Sequence, residues 1–256
     1  MTDQPGAAPS VLWKAFDVLA AFSHRDRVLP LAEIARRSGL PKSTAHRVLA
    51  MLTETGAVEL ADGGYRLGLR MFSLGALPPE AGLREAAMVH LEGLHRVTGQ
   101  TLHLAVLHGD DVVYLEKLLS RRRVDTPAAI GDRIPATCTA VGKALLAFSG
   151  EQAEATALAR PLARRTAHSV WTASTLREQF AAIRERGYAT DREESAEGLA
   201  CVAIPVLVGD RPVAAISVAF PAAAGTGDVL VGPLRQTAAA IASSPAVMRA
   251  VALTGR

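Results

Sequence analysis

The chain has 256 residues, of which 49% are hydrophobic and 21% charged, with a net charge of +3 at pH 7. This balance excludes an intrinsically disordered chain, and the length allows two ordinary domains. No apolar run reaches the roughly 18 residues of a transmembrane helix, and two cysteines, Cys138 and Cys201, are too few for a disulfide framework. We therefore expect a cytoplasmic protein without membrane contact.

The chain begins with a short polar segment, and an apolar helix follows it. Residues 1–9 predict a flexible tail rather than a signal peptide, because they contain prolines and no apolar core. Ser10 is a plausible N-cap for VLWKAFDVLAAF, in which Leu12, Phe16 and Leu19 recur at helical spacing. The neighbouring stripe is apolar too, which predicts that the helix buries two faces, one of them against a partner subunit.

Two short helices around a Gly-Leu-Pro turn come next. LAEIARRS predicts a helix that ends at Gly39, and Pro41 suits the first turn of the following helix. At about 100° per residue, the second helix places its polar and its apolar side chains on opposite faces. The polar face carries Lys42, Ser43, His46, Arg47 and Ala50, and the apolar face carries Ala45, Val48, Leu49 and Leu52.

A predicted hairpin completes the first domain. Val58 and Leu60 face Tyr65 and Leu67 across Asp62-Gly63-Gly64, which is a strong hairpin signal. Helix, glycine turn, helix and hairpin follow in the order of a winged helix-turn-helix, which we predict over residues 10–68. The segment LRMFSLGALPPEAG predicts a linker helix over residues 69–82, interrupted by its two prolines.

The rest of the chain, residues 83–256, predicts an α+β domain. An amphipathic helix ends at Gly99, and two pairs of alternating strands turn at Gly109-Asp110 and Gly209-Asp210. Helices VGKALLAF and STLREQFAAIRERG lie between the hairpins, and a last helix follows the second. This order favours an antiparallel sheet covered by helices.

The polar face of the second short helix suits a DNA groove, although a solvated surface helix is the alternative for that helix alone. Ser43 and Thr44 can reach phosphates, and Arg47 can read a guanine edge. His46 can read or stack on a base, and we expect Arg66 at the wing tip to meet a flanking phosphate or the minor groove. The candidate DNA contacts are Pro41, Lys42, Ser43, Thr44, His46, Arg47 and Arg66.

Several separated segments together resemble the IclR family of bacterial transcriptional regulators along nearly the whole chain. They are LAEIARRSGLPKSTAHRVLAMLTETG, YRLGLRMFSLG, TLHLAVLHGDDVVYLEK, GDRIPATCTAVGKALLAF, RERGYATDREESAEGLACVAIPV and AAISVAF. The resemblance implies a winged helix, a linker helix and a GAF-like effector-binding domain. It also implies homodimers that often pair into tetramers, a palindromic double-stranded DNA operator, and repression more often than activation.

The resemblance further implies a pocket for a small metabolite, commonly an organic or aromatic acid. Its wall would consist of Ile134, Thr139, Ala140, Val141, Asp191, Cys201 and Ser217. Two residues depart from the family pattern: Val141 stands where the family often has glycine or another small residue, and Ala219 where it has a second serine. A narrower and less polar pocket follows from both.

Elementary chemistry supports part of this pocket. Thr137 or Thr139 can cap the VGKALLAF helix, whose free N–H groups suit a carboxylate. Asp191 would repel a carboxylate, so it would accept a hydroxyl or amide donor from the ligand. The alternative is that Asp191 only tethers its own loop, and that Cys201 and Ser217 are ordinary core residues.

Other functions have weaker signals. An enzyme or ligand carrier that uses the C-terminal domain is the alternative, but no positioned nucleophile or base is recognisable. The histidine pairs His90/His95 and His103/His108 have the wrong spacing to share one side of a helix or strand, so neither a metal site nor a cofactor is expected. A redox role for Cys138 and Cys201 remains a minor alternative.

Overall fold

The computed structural model describes residues 10–24, 26–120 and 124–253, so the predicted tail lies outside the described residues. The chain forms two compact units, residues 1–78 and 79–256. Over the described ranges, every helix is too short or too polar to cross a membrane.

The first unit has the predicted order of elements. They are α1 (Val11–Ala20), α2 (Leu31–Ser38), α3 (Lys42–Glu54), β1 (Val58–Ala61), β2 (Gly64–Leu67) and α4 (Leu69–Gly75). Gly39 ends α2 in the left-handed conformation, with φ at 67°, as predicted. The hairpin pairs Val58 with Leu67 and Ala61 with Gly64, so Asp62 and Gly63 form its tip.

The core of the first unit explains why its helices form. Val18 of α1, Ile34 of α2 and Leu49 of α3 are fully buried and pack against one another. The opposite side of α1 is exposed in the single chain, with Leu12 70% and Phe16 68% accessible. One of the two apolar faces predicted for α1 is therefore buried within its own unit.

The second unit combines six helices with six strands over the described ranges. They are α5 (Pro79–Thr98), β3 (Thr101–His108), β4 (Asp111–Leu118), β5 (Arg133–Pro135), α6 (Ala140–Phe148), α7 (Glu151–Leu158), α8 (Ala173–Arg186), β6 (Ala189–Arg192), β7 (Leu199–Val208), β8 (Arg211–Pro221), α9 (Val231–Ala242) and α10 (Pro245–Leu253). Helix α5 begins at Pro79 rather than at residue 83, because a proline is tolerated in the first turn of a helix.

The strands form one antiparallel sheet in the order β5-β4-β3-β8-β7-β6. One face packs against α5 and α9, on which α10 lies, and the other packs against α6, on which α8 lies. Since side chains alternate along a strand, every second residue of the central strands points toward α6. These residues form the floor of the cavity described below.

Candidate nucleic-acid interface and ligand pocket

Helix α3 presents the polar face that its sequence predicts. Ala45, Val48 and Leu49 are buried, whereas Lys42, Ser43, His46 and Arg47 are exposed, with Pro41 exposed at the N-cap and Thr44 partly so. None of the Lys42, His46 and Arg47 side chains forms a hydrogen bond or ion pair with another described residue. Their donors therefore remain available on the surface.

The cations of α2 differ from those of α3, because they are neutralised within the protein. Glu33 accepts hydrogen bonds from Arg36 and from Arg37, and these bonds lower the pKa of its carboxyl to about 2. Arg37 also binds Asp26, with 3.0 Å between Nη1 and Oδ2. The available positive charge of the helix-turn-helix thus lies on the helix that would enter a groove.

The position of Arg66 differs from the expectation of a wing-tip contact. Arg66 lies within β2 opposite Glu59, two residue pairs from the turn, and its Nη2 is 2.9 Å from Glu59 Oε2. The pKa of Glu59 is lowered, first by the hydrogen bond from the Leu69 amide and then by Arg66. Arg66 is more than half exposed, so it can meet a phosphate only by sharing or releasing this carboxylate.

A cavity lies between the sheet and the N-terminus of α6. Its lining residues are His103, Tyr114, Thr126, Pro127, Ala128, Thr139, Ala140, Val141, Asp191, Ser195, Leu199, Cys201 and Ser217. Six of the seven predicted wall residues are thus brought together. Ile134 is not among them. It lies on the edge strand β5, where it pairs with Val112 of β4, and its side chain packs into the core.

The N-terminus of α6 forms one wall. Thr139 is the cap, since its Oγ1 accepts the Gly142 amide at 3.0 Å, which decides between the two threonines considered above. The amides of Ala140 and Val141 belong to the first turn, where an α-helix provides no acceptor for them. A Cβ on Gly142 would lie 2.1 Å from the Ala136 carbonyl oxygen, so this close approach requires glycine.

Asp191 is engaged with its own loop. Oδ1 accepts the amides of Glu194 and Ser195 at 2.7 and 3.4 Å, and Oδ2 accepts the Ser195 hydroxyl at 2.5 Å. Burial raises the pKa of the carboxyl, and the Ser195 hydrogen bond opposes that rise. The tethering role considered for Asp191 is therefore present in the structure, and it uses both carboxylate oxygens.

A buried ion pair holds the same loop to α6. Lys143 Nζ lies 2.5 Å from Glu194 Oε1 and 3.1 Å from Gln179 Oε1, and the lysine side chain is 1% exposed. Burial raises the pKa of Glu194, and Lys143 acts against that rise. Sequence reasoning did not predict this pair.

Sequence reasoning also missed four polar wall residues: His103, Tyr114, Thr126 and Ser195. The rings of His103 and Tyr114 meet edge to face, with centroids 5.3 Å apart. Burial, and then the nearby Lys117 charge, lower the pKa of His103 to about 3, so its imidazole is neutral. A histidine at an inward position of a mostly apolar strand was the signal that could have identified His103.

Both cysteines are buried and free. Burial raises the pKa of Cys138 to about 12 and that of Cys201 well above its usual range. Cys201 lines the cavity, whereas Cys138 donates its thiol to the Pro135 carbonyl at 3.3 Å. Since the thiolate is the reactive form, these surroundings disfavour the redox alternative.

The cavity has little free space in this conformation. Its free volume is about 20 Å³. That volume suits about one water molecule. A ligand would therefore have to displace part of the wall.

Comparison with known proteins places the chain in a family. Residues 11–62 match the IclR helix-turn-helix domain, and residues 79–243 match the bacterial transcriptional regulator IclR C-terminal domain. The chain belongs to the IclR family of transcriptional regulators. It therefore combines a helix-turn-helix DNA-binding domain with a ligand-binding C-terminal domain.

Individual relatives cover most of the chain. The probable transcriptional regulator SauR of Cupriavidus necator is 35% identical over 86% of this chain and 89% of its own length. The DNA-binding transcriptional repressor YiaJ of Escherichia coli is 31% identical over 94% of this chain and 89% of its own. A crystal structure of an IclR homolog from Microbacterium hydrocarbonoxydans complexed with 4-hydroxybenzoate is 28% identical, covers 94% of this chain and 100% of its own, and superposes with a TM-score of 0.83.

Proposed function

We propose that this IclR-family chain is a cytoplasmic repressor that binds a palindromic operator as a homodimer, with dimers pairing into tetramers. A small organic acid in the second unit would control its affinity for DNA. The observation that carries the proposal is the exposed face of α3, whose cations have no acidic partner among the described residues. The similarity to the repressor YiaJ supports repression rather than activation.

The proposed DNA contacts follow from the geometry of α3. Pro41, Lys42, Ser43 and Thr44 lie at its N-terminal end, where free amides and hydroxyls suit phosphates. His46 and Arg47 lie one turn further, on the same exposed face, and would reach base edges in the major groove. Arg66 would add a flanking contact of lesser weight, because Glu59 competes for its guanidinium.

Exposed apolar side chains of the first unit support dimerisation. Leu12 and Phe16 of α1 are 70% and 68% exposed, and Phe72 of α4 is 75% exposed. Soluble monomers rarely expose several large apolar side chains close together. A dimer would cover these helices and would present two copies of α3 to two half-sites.

The proposed ligand site is the cavity beside α6. The unpaired first-turn amides of Ala140 and Val141 suit a carboxylate, and the relative from Microbacterium was crystallised with 4-hydroxybenzoate. Because the cavity holds about one water molecule, an acid would select a conformation with a larger pocket. Such a ligand changes operator affinity only as far as it binds the two conformations differently.

Selection of genomic fragments bound by the purified chain, at roughly physiological salt, tests the proposal. We expect a palindromic sequence. Arg47→Ala should weaken binding to it by on the order of 10- to 100-fold, because a bidentate base contact is lost. Arg249→Ala is the matched control, since it removes the same charge from an exposed position on α10. Equal binding by the Arg47→Ala variant, or no preference over competitor DNA, would contradict the proposal.

A further inference from the structure

Two buried polar atoms in the cavity wall have no hydrogen-bond partner. Across the described ranges, three buried side-chain atoms are in this state: His103 Nε2, Thr126 Oγ1 and Glu194 Oε2. The first two belong to residues that line the cavity. Since buried polar groups in proteins are nearly always hydrogen-bonded, two unpaired groups in one cavity wall mark positions that a water molecule fills in the empty cavity and that a ligand hydroxyl can take over.

The cavity floor is a row of polar side chains that crosses five strands. The row runs from Tyr114 on β4 through His103 on β3, Ser217 on β8 and Cys201 on β7 to Asp191 on β6. His103 is paired with Ser217 and Cys201 with Asp191, and the row shifts by two residues between Ser217 and Cys201. Three strand spacings, about 14 Å measured across the strands, separate His103 from Asp191. Asp191 accepts hydrogen bonds from its own loop, whereas His103 Nε2, at the other end, has no hydrogen-bond partner.

The two unpaired groups at the His103 end are neutral. His103 Nδ1 lies 3.4 Å from Ser217 Oγ, so the tautomer that donates to Ser217 leaves Nε2 as an acceptor, and the other tautomer makes Nε2 a donor. Thr126 also offers a hydroxyl that can donate or accept. A ligand hydroxyl satisfies either combination, because it donates one hydrogen bond while it accepts another.

The wall that carries Thr126 is held in place by Lys117. Its ammonium group donates to the backbone carbonyls of Thr126 and Ala128, both of which belong to the cavity lining. The lysine charge is thus engaged with the backbone of the wall. A second carboxylate at this end would contact an uncharged imidazole and a hydroxyl, while the Lys117 ammonium is already hydrogen-bonded to two backbone carbonyls. A neutral hydroxyl therefore suits this end better, because burying a charge costs more than burying a hydroxyl.

We propose that His103 Nε2 and Thr126 Oγ1 bind a hydroxyl group of the ligand, so that the ligand is a hydroxy acid whose carboxylate binds at the N-terminus of α6. This inference rests on the proposed function, namely that the second unit binds an organic acid. It adds the two residues that distinguish a hydroxylated acid from its unhydroxylated counterpart. Asp191 lies at the other end of the row and already accepts three hydrogen bonds from residues 194 and 195, so the discrimination is assigned to His103 and Thr126.

Calorimetric titration of the full chain with two matched pairs of acids tests the inference. The pairs are 4-hydroxybenzoate with benzoate, and lactate with propionate. We expect the hydroxylated member of at least one pair to bind tighter by on the order of tenfold or more. Thr126→Val, which keeps the shape but removes the hydroxyl, should bring the two affinities within about twofold of each other.

Two substitutions of His103 provide a matched comparison. His103→Gln places an amide near the position of Nε2, and His103→Asn places one near Nδ1. The glutamine variant should keep part of the preference for the hydroxylated acid, whereas the asparagine variant should lose it. Thermal melts control for folding, and Thr126→Val should melt no lower than the wild type, because its hydroxyl has no partner to lose.

Three results would overturn the inference: an unchanged preference in all variants, equal binding of both members of each pair, or binding of none of the four acids by a chain that still binds its operator. Operator binding is measured on the same preparations. Its failure would refute the proposed regulator but would leave the calorimetric preference as an independent result. The two ideas can therefore fail separately.

Discussion

Replacing Lys143 with methionine should destabilise the second unit far more than an ordinary substitution. The change removes the ammonium 2.5 Å from Glu194 Oε1 but keeps a side chain of similar length in a site where lysine is 1% exposed. It leaves a buried carboxylate whose other oxygen already has no partner. Removal of one partner from a buried ion pair costs about 3–5 kcal/mol.

Protonation of Glu194 limits that cost and makes it depend on pH. Burial raises the pKa of this carboxyl, and Lys143 is the group that opposes the rise, so the variant should raise the pKa further. With a folded pKa above the unfolded one, the folded state binds the proton first as pH falls. The stability deficit of Lys143→Met should therefore shrink between pH 7 and pH 5, by at most about 1.4 kcal/mol per pH unit.

Adding Glu194→Gln to Lys143→Met tests whether the loss of stability comes from the unpaired charge. No charge remains to be buried in this double variant, so it should be more stable than Lys143→Met alone by about 2 kcal/mol. Urea denaturation of the full chain measures these differences. Trp171 reports on the second unit when Trp13 is replaced by phenylalanine, since these are the two tryptophans of the sequence.

The reasoning would be refuted if the double variant lost as much stability as the Lys143→Met and Glu194→Gln single variants lose together, and if the deficit of Lys143→Met did not change with pH. A cost below about 1 kcal/mol for Lys143→Met would also refute it, because it would mean that water reaches the pair and screens it. The ion pair would then be a surface contact in solution.

Three further predictions concern the cavity and its surroundings. Gly142→Ala should lower the free energy of unfolding by at least about 1–3 kcal/mol and weaken acid binding, because the new Cβ would lie 2.1 Å from the Ala136 carbonyl oxygen. Gly232→Ala is the control: its Cβ would meet no atom within 4 Å, so it should change stability by less than about 1 kcal/mol in the same urea assay. Thr139→Ala should lower the free energy of unfolding by about 1 kcal/mol, because α6 loses its N-cap. Thr139→Ser keeps a capping hydroxyl and should lose much less stability. Equal melting temperatures of the two variants would contradict the capping role. His103 has a pKa of about 3 in the folded chain against an ordinary 6.5, so only the unfolded chain gains a proton as pH falls below about 6.5. Wild-type stability should therefore fall relative to His103→Gln by up to about 1.4 kcal/mol per pH unit between pH 6.5 and about 3, and parallel stability curves would show that the imidazole is not buried neutral.

The local elements of this protein follow from its sequence. The end of α2 at Gly39, the hairpin tip at Asp62 and Gly63, and the buried face of α3 were all predicted, because glycine turns and helical periodicity act over a few residues. Boundaries were less certain, since a proline can either end a helix or begin one. Pro79 begins α5, four residues before the expected start of that domain.

The family resemblance predicted six of the residues that line the cavity, but only the tertiary structure shows what those residues contact. Asp191 could bind a ligand or its own loop, and only the folded turn shows that residues 194 and 195 occupy both of its oxygens. Arg66 was expected at a wing tip, yet the register of the hairpin places it opposite Glu59. The spacing of residues along the sequence predicts neither the contacts of Asp191 nor the position of Arg66.

Long-range pairing decided the rest of the site. His103 meets Ser217 across 114 residues, because the sheet order places β3 directly beside β8. Lys143 meets Glu194 across 51 residues, because α6 packs against β6 and the loop that follows that strand. Periodicity reports which face of a strand is buried, but it does not report which other strand lies next to it. The unpaired nitrogen of His103 and the unpaired hydroxyl of Thr126 therefore come to line one cavity only in the folded second unit.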